Sequence, residues 1–251
     1  AQAILRKQGY KVMIAISNEN PEQERENIMM MEQLRVDGIL MSACDKEHNV
    51  NLYNKVIERG IPIVFFDRTV EGVKASLVHM DDYIMSFFMV EALLRKGYKH
   101  IIHIPGPAYI RNSYERLRGY RDALKKFHIE FQSQDVLSPA LSAEEGSWVM
   151  EQFLNKNVPF DAVFGFTETA VLGAKSAIQK HGLRIPEDVA LCCMSGTALS
   201  TLVHPQLTAV EQPIEKMAQE CCRLLLGHIA DGNRNTEEMA LRGETIIRES
   251  T

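Results

Sequence analysis

Six consecutive apolar residues, 189–194 (VALCCM), lie between Pro186 and the polar run 195–200. No other feature constrains the architecture as tightly. Unbroken apolarity over strand length, without alternation, describes a strand covered on both faces, and such strands belong to parallel sheets flanked by helices. Upstream, Gly182 suits the left-handed residue that ends a helix, and Pro186 forbids the helix to continue. In open parallel sheets ligands gather beyond the carboxyl ends of the strands. Residues 195–200 occupy that end.

The same punctuation recurs along the chain. Residues 37–41, 63–66, 75–79, 101–104, 161–166 and 244–249 read as strands, and residues 21–34, 47–59, 82–96, 112–127, 143–154, 167–180 and 213–229 as helices. Asn20 and Pro21 open the first of these helices as cap and first-turn proline, and Ser142 with Glu145 forms a capping box. The last carries Ile214, Met217, Ala218, Cys221, Leu224 and Leu225 at helical spacing. A further strand is expected over residues 10–17, because GYKVMIAIS at 9–17 parallels GYKHIIHIP at 97–105. The polar stretch 195–206 reads as hairpin-like. About ten or eleven strands suit an α/β fold of two doubly wound parallel-sheet lobes with a ligand cleft between them, better than one sheet or an eight-unit barrel.

Composition removes several function classes. A net charge of -5 argues against this segment binding nucleic acid by itself, since phosphate binding needs clustered Lys and Arg. The five cysteines form two adjacent pairs and a singleton without metal spacing, and read as small buried hydrophobes of a reducing compartment. No run approaches a membrane span and no signal segment opens the chain, so a cytoplasmic location is expected. The chain reads as beginning inside a helix, with its own N-terminus outside this sequence.

No nucleophile elbow, phosphate-binding loop or zinc motif is present, and Asp81 and Asp82 read as helix-capping acids. No catalytic residue, metal ligand or cofactor is therefore assigned. What remains is polar groups at strand ends: Asp67 and Arg68, Asn112 and Arg116 within 109–116, Thr167, Ser195 and Gln212. Converging from two lobes, a carboxylate and a guanidinium would suit a small polar ligand.

GLRIPEDVALCCM at 182–194 followed by HPQLTAVEQP at 204–213, with RVDGIL, IPIVFFDR, KGYKHIIHIPGP, ERLRGYRDAL and IIRES in order, resembles the LacI/GalR family of bacterial transcription regulators. The resemblance covers essentially the whole chain. It implies a periplasmic-binding-protein-like (type I) effector domain in which residues 1–78 and 212–240 form an N-terminal, dimerising lobe, truncated at its start, and residues 79–211 and 241–251 the other. It also implies a helix-turn-helix DNA-binding domain, absent from this chain, ahead of them. Carried over singly, Asp67 matches the family's acidic effector contact and Arg116 its effector-binding arginine. Two segments depart. The family's Asn-Asp is Thr167-Glu168 here, and its Gly-Phe-Asp-Asp is Cys193-Met194-Ser195-Gly196. Loss of that aspartate removes an acceptor for a sugar hydroxyl, worth about 1–3 kcal/mol for a charged hydrogen bond.

The resulting expectation is a sensor and dimerisation domain of a regulator. Its partners would be a small carbohydrate-like effector, a second copy of itself, and operator DNA through the missing domain, with no membrane. Dimerisation would use helix 47–59 and the helix after Pro213. An extracytoplasmic sugar-binding receptor of a transport system is the rival on the same fold. An enzyme would have only Asp67, Asp81, Asp82 and Glu115 as acids, with no nucleophile beside them.

Overall fold

A computed structural model describes residues 1–44, 47–68, 70–231 and 235–251. The chain divides into two compact units, one of Ala1–Met80 with Pro213–Leu241 and one of Asp81–Gln212 with Arg242–Thr251. In chain order the elements are α1 (Gln2–Lys7), α2 (Pro21–Gln33), β1 (Ile39–Met41), α3 (Val50–Glu58), β2 (Ile63–Phe66), β3 (Ser76–Met80), α4 (Asp82–Arg95), β4 (Ile101–Ile104), α5 (Arg111–Lys126), α6 (Ala143–Leu154), β5 (Ala162–Gly165), α7 (Glu168–Lys180), β6 (Ala190–Gly196), α8 (Leu199–Leu202), β7 (Thr208–Glu211), α9 (Ile214–Asp231), β8 (Glu238–Leu241) and β9 (Glu244–Ile246).

The first unit holds a parallel sheet in the order β1-β2-β3-β8. Strand residues alternate between its faces. Ile39, Ile63, Phe65 and Leu77 pack with Ile28 of α2 and Tyr53 and Val56 of α3. Val64 and Val78 point the other way, onto Met217, Cys221, Leu224 and Leu225 of α9. Helices on both faces account for strands without polar alternation.

The second unit's sheet runs β4-β5-β6-β7-β9, with β9 antiparallel to β7 and the rest parallel. Ile102, Ile104, Val163, Leu191 and Cys193 pack under α6 and α7. Those two helices approach closely at Gly146 and Gly173, where an added methyl would overlap the carbonyl oxygens of Ala170 and Ala143. Gly173→Ala is therefore expected to destabilise the protein by about 1–3 kcal/mol through overpacking, a loss read as a lowered urea midpoint. An unchanged midpoint would mean the helices separate at no cost.

Three expectations change. Residues 10–17 form no strand; Met13, Ile14 and Ile16 are exposed there, Ile14 at 73%. A strand needs an adjacent edge to take its N–H and C=O groups, and this stretch pairs with neither β1 nor β8. The likeness of 9–17 to 97–105 is thus one of sequence, since only the second becomes a strand. Residues 195–206 are not a hairpin: β6 runs on through Gly196 and α8 follows. Nine strands occur among the described residues, including the short β7 and β8, whose polar ends (TAVE, EMAL) hid them.

The cap signals hold locally. Asn20 Oδ1 accepts from the backbone N–H groups of Glu22 and Gln23, and Ser142 with Glu145 makes the reciprocal capping box.

Candidate functional site

In the second unit, the ends of β4, β5 and β6 bring three of the singled-out residues into one hydrogen-bonded neighbourhood. Arg116 projects from α5 and is 2% exposed. Its Nε and Nη2 both lie 2.7 Å from Asp82 Oδ1, and Nη1 donates to the Phe166 carbonyl at 2.6 Å. Its guanidinium carbon sits 4.2 Å from the centre of the Phe166 ring, a stacked cation–π geometry. The ring in turn lies against Gly106, where a Cβ would come within 2.6 Å of it. Glycine is required by that approach.

Thr167, one residue beyond Phe166, caps α7: its Oγ1 accepts from Ala170 N at 3.2 Å and donates to the Leu141 carbonyl. Ser195 Oγ accepts from Glu168 N at 3.3 Å. Glu168 ties the pieces together. Its buried carboxylate accepts the Thr197 N–H at 3.1 Å, the Thr197 hydroxyl and the Ser200 hydroxyl. That clamp turns the residues after β6 into α8 in place of a hairpin. Asn112 is buried in the first turn of α5, and Gln212 follows β7, half-buried.

In the first unit, Asp67 and Arg68 follow β2. Asp67 adopts a left-handed conformation, φ 60°, while its N–H bonds the Val78 carbonyl at 2.9 Å. Aspartate enters that region more readily than most residues. Arg68 Nη1 pairs with Glu19 Oε2 at 2.7 Å. Beyond β1, the buried Glu24 carboxylate accepts from Cys44 N, Asn49 Nδ2 and the Tyr53 hydroxyl.

Sequence reasoning overlooked Asp82, Glu168 and Glu24 as organising groups. Asp82 reads as a first-turn acid, yet it is the ion-pair partner of Arg116; Asp81 caps α4, at 3.1 Å from Ile84 N. The apolar neighbours of Glu24 in the unit's core carry no warning of a buried acid. For Glu168 a signal did exist, in the coincident changes at 167–168 and 195–196.

The remaining chemistry is muted. Burial pushes the Cys193 thiol up to about 12 and the Cys44 and Cys221 thiols to about 11, so all three are protonated thiols rather than nucleophiles. Among the described residues no group of three His, Cys, Asp or Glu side chains is placed to hold a metal, and no helix is long and apolar enough to cross a membrane. Two cavities lie away from the strand-end loops: an open groove of about 420 Å³ between α6 and α7 beside Trp148, and one of about 320 Å³ near the amino ends of β2 and β3.

Residues 90–251 match the periplasmic binding protein-like domain family. The transcriptional repressor CytR of Escherichia coli (strain K12) is 28% identical over 244 residues, covering 94% of this chain and 71% of CytR. The transcriptional regulator CelR of Thermobifida fusca is 28% identical over 248 residues, covering 98% and 72%. Among solved structures, a CelR–cellobiose complex superposes with a TM-score of 0.91 at 26% identity, covering 100% of this chain and 76% of that one. The two sheet-bearing units and these likenesses agree: the chain belongs to the periplasmic binding protein-like domain family, in the form carried by LacI-type transcriptional regulators.

Proposed function

We propose that this chain is the effector-sensing and dimerisation domain of a LacI-type transcriptional regulator, located in the cytoplasm. A small polar, sugar-like ligand would engage the loops at the carboxyl ends of both sheets, through Asp67 and Arg68 in the first unit and Asn112, Arg116, Thr167, Ser195 and Gln212 in the second. Operator DNA would be bound by a separate DNA-binding domain, consistent with the net charge of -5 on this segment. The observation that carries the reading is the likeness, over the whole of this chain and 76% of that one, to CelR in its complex with cellobiose.

Signalling requires the ligand to bind one arrangement of the two units better than another; equal affinity would shift nothing. The second copy would dock on the first unit. There α3 turns Tyr53 and Val56 into its own core, and α9 leaves only Ile214 widely exposed among its large apolar residues. The exposed Met29, Met30 and Leu34 of α2 and its end would add apolar surface on the same unit. Sedimentation at micromolar concentration tests this, and a monomer would contradict it. Thermal shift against sugars, sugar derivatives and nucleosides tests the sensor role, since a ligand at 100 times its Kd stabilises by about 2.7 kcal/mol. A flat response across the panel would end the proposal.

A further inference from the structure

The cavity of about 320 Å³ at the amino ends of β2 and β3 belongs, among the described residues, to the first unit alone. It lies at the opposite strand ends from the loops assigned to the effector. The last turns of α3 and α9 flank it through Ile57, His228 and Ile229, and Ile63 opens β2 beside them. Ile57, Ile63 and Ile229 make most of that wall apolar. Its polar part is held in place from behind. Ser76 is fully buried, and its Oγ accepts the Glu237 N–H at 3.1 Å and sits 3.0 Å from His228 Nε2.

Two opposite charges line the same cavity without meeting. Asp37 precedes β1 and Lys74 precedes β3; both are exposed, and among the described residues neither makes a hydrogen bond or an ion pair. Strand β2 lies between β1 and β3, so two strand spacings of about 4.8 Å put the two positions about 10 Å apart. An α-amino acid spans that gap: about 3 Å separates its ammonium from its carboxylate, and a hydrogen bond of about 2.8 Å at each end brings the total to about 9 Å. The carboxyl ends of α3 and α9 add partial negative charge here, which favours the ammonium. Lys74 supplies the countercharge for the carboxylate. A neutral sugar fits less well, since its hydroxyls would be desolvated against three isoleucines.

We propose that this cavity is a second ligand site, for an apolar α-amino acid or a zwitterion of that size. The ammonium sits on Asp37, the carboxylate on Lys74 and the side chain over Ile57, Ile63 and Ile229. The site is independent of the sensor reading above.

Calorimetry on the whole chain tests it, with leucine, isoleucine, valine, methionine and phenylalanine as probes. Leucine is then compared with isocaproate, which lacks the ammonium, and with isoamylamine, which lacks the carboxylate. Each single-charge analogue is expected to bind about fivefold more weakly than leucine, the upper end for an exposed charge pair. Asp37→Asn should weaken leucine by the same factor and leave isocaproate unchanged. Lys74→Met should weaken leucine and leave isoamylamine unchanged, which closes the cycle for each contact. Both residues are exposed, so the urea midpoints should not move. Analogues that bind as tightly as leucine overturn the proposal, as do variants that alter all three compounds alike or none. No binding by any of the five amino acids at about 10 mM, where even a weak complex of about 4 kcal/mol is populated, also overturns it and leaves the sensor reading untouched.

Discussion

Arg116→Ala is expected to destabilise the protein by about 3–5 kcal/mol, the cost of leaving the buried Asp82 without its countercharge. Both side chains are almost fully enclosed, at 3% and 4% exposure. The substitution also strips the Phe166 carbonyl of its donor and the ring of its stacked cation. A urea titration reads the loss directly. Because a destabilised variant would lose ligand response for trivial reasons, Asp82→Leu combined with Arg116→Met is the more informative protein. Replacing a buried ion pair by apolar side chains of similar volume is often neutral or better, so this variant should recover most of the lost stability. If Arg116 also contacts the effector, the recovered variant stays blind to it. Normal ligand binding by a stable double variant would assign Arg116 to scaffolding alone.

The second large effect is acid sensitivity through His103. The ring packs against Tyr120, at 5.4 Å, and Phe164, at 4.9 Å, which also face each other at 6.4 Å, and is fully buried. Nδ1 lies 2.9 Å from the Phe164 carbonyl, which makes it the protonated nitrogen of the neutral ring; Nε2 has no partner among the described residues. Burial lowers its pKa from 6.5 to about 4, with the nearby Arg116 charge acting in the same direction. A folded-state pKa below the unfolded value means the unfolded chain takes up the proton first. Stability is therefore complete above pH 6.5 and falls as the pH drops from there towards 4. The gap of about 2.5 pH units corresponds to about 3 kcal/mol when fully expressed. His103→Phe keeps the aromatic stack and should abolish that part of the acid loss, so the wild-type and variant curves of stability against pH diverge between pH 6.5 and 4. Parallel curves would place the acid sensitivity elsewhere.

Glu168 illustrates why only part of the candidate site was readable in advance. Ser195 and Thr167 stand at strand ends because local signals put them there, a buried apolar run in one case and a helix cap in the other. The Glu168 carboxylate beside them is held by Thr197 and Ser200, partners 29 and 32 residues away. Asp82 is a similar case, reaching Arg116 34 residues on. Composition is no guide to such pairs, since an acid in the first turn of a helix looks the same whether it faces water or a guanidinium.

The amino-acid sequence by itself determined the α/β class, most helices and strands, their caps and the likeness to LacI-type regulators, because apolar runs, Gly and Pro punctuation and capping residues act over a few positions. Tertiary structure decided the rest. Residues 10–17 carry the apolar content of a strand but find no sheet edge to pair with, residues 199–202 form α8 beside the Glu168 carboxylate, and the buried acids Glu24, Asp82 and Glu168 become structural anchors. In each case the deciding partner is distant in sequence. A hydrogen bond or strand pairing depends on where the chain returns in space, and only the folded sheets bring those partners together.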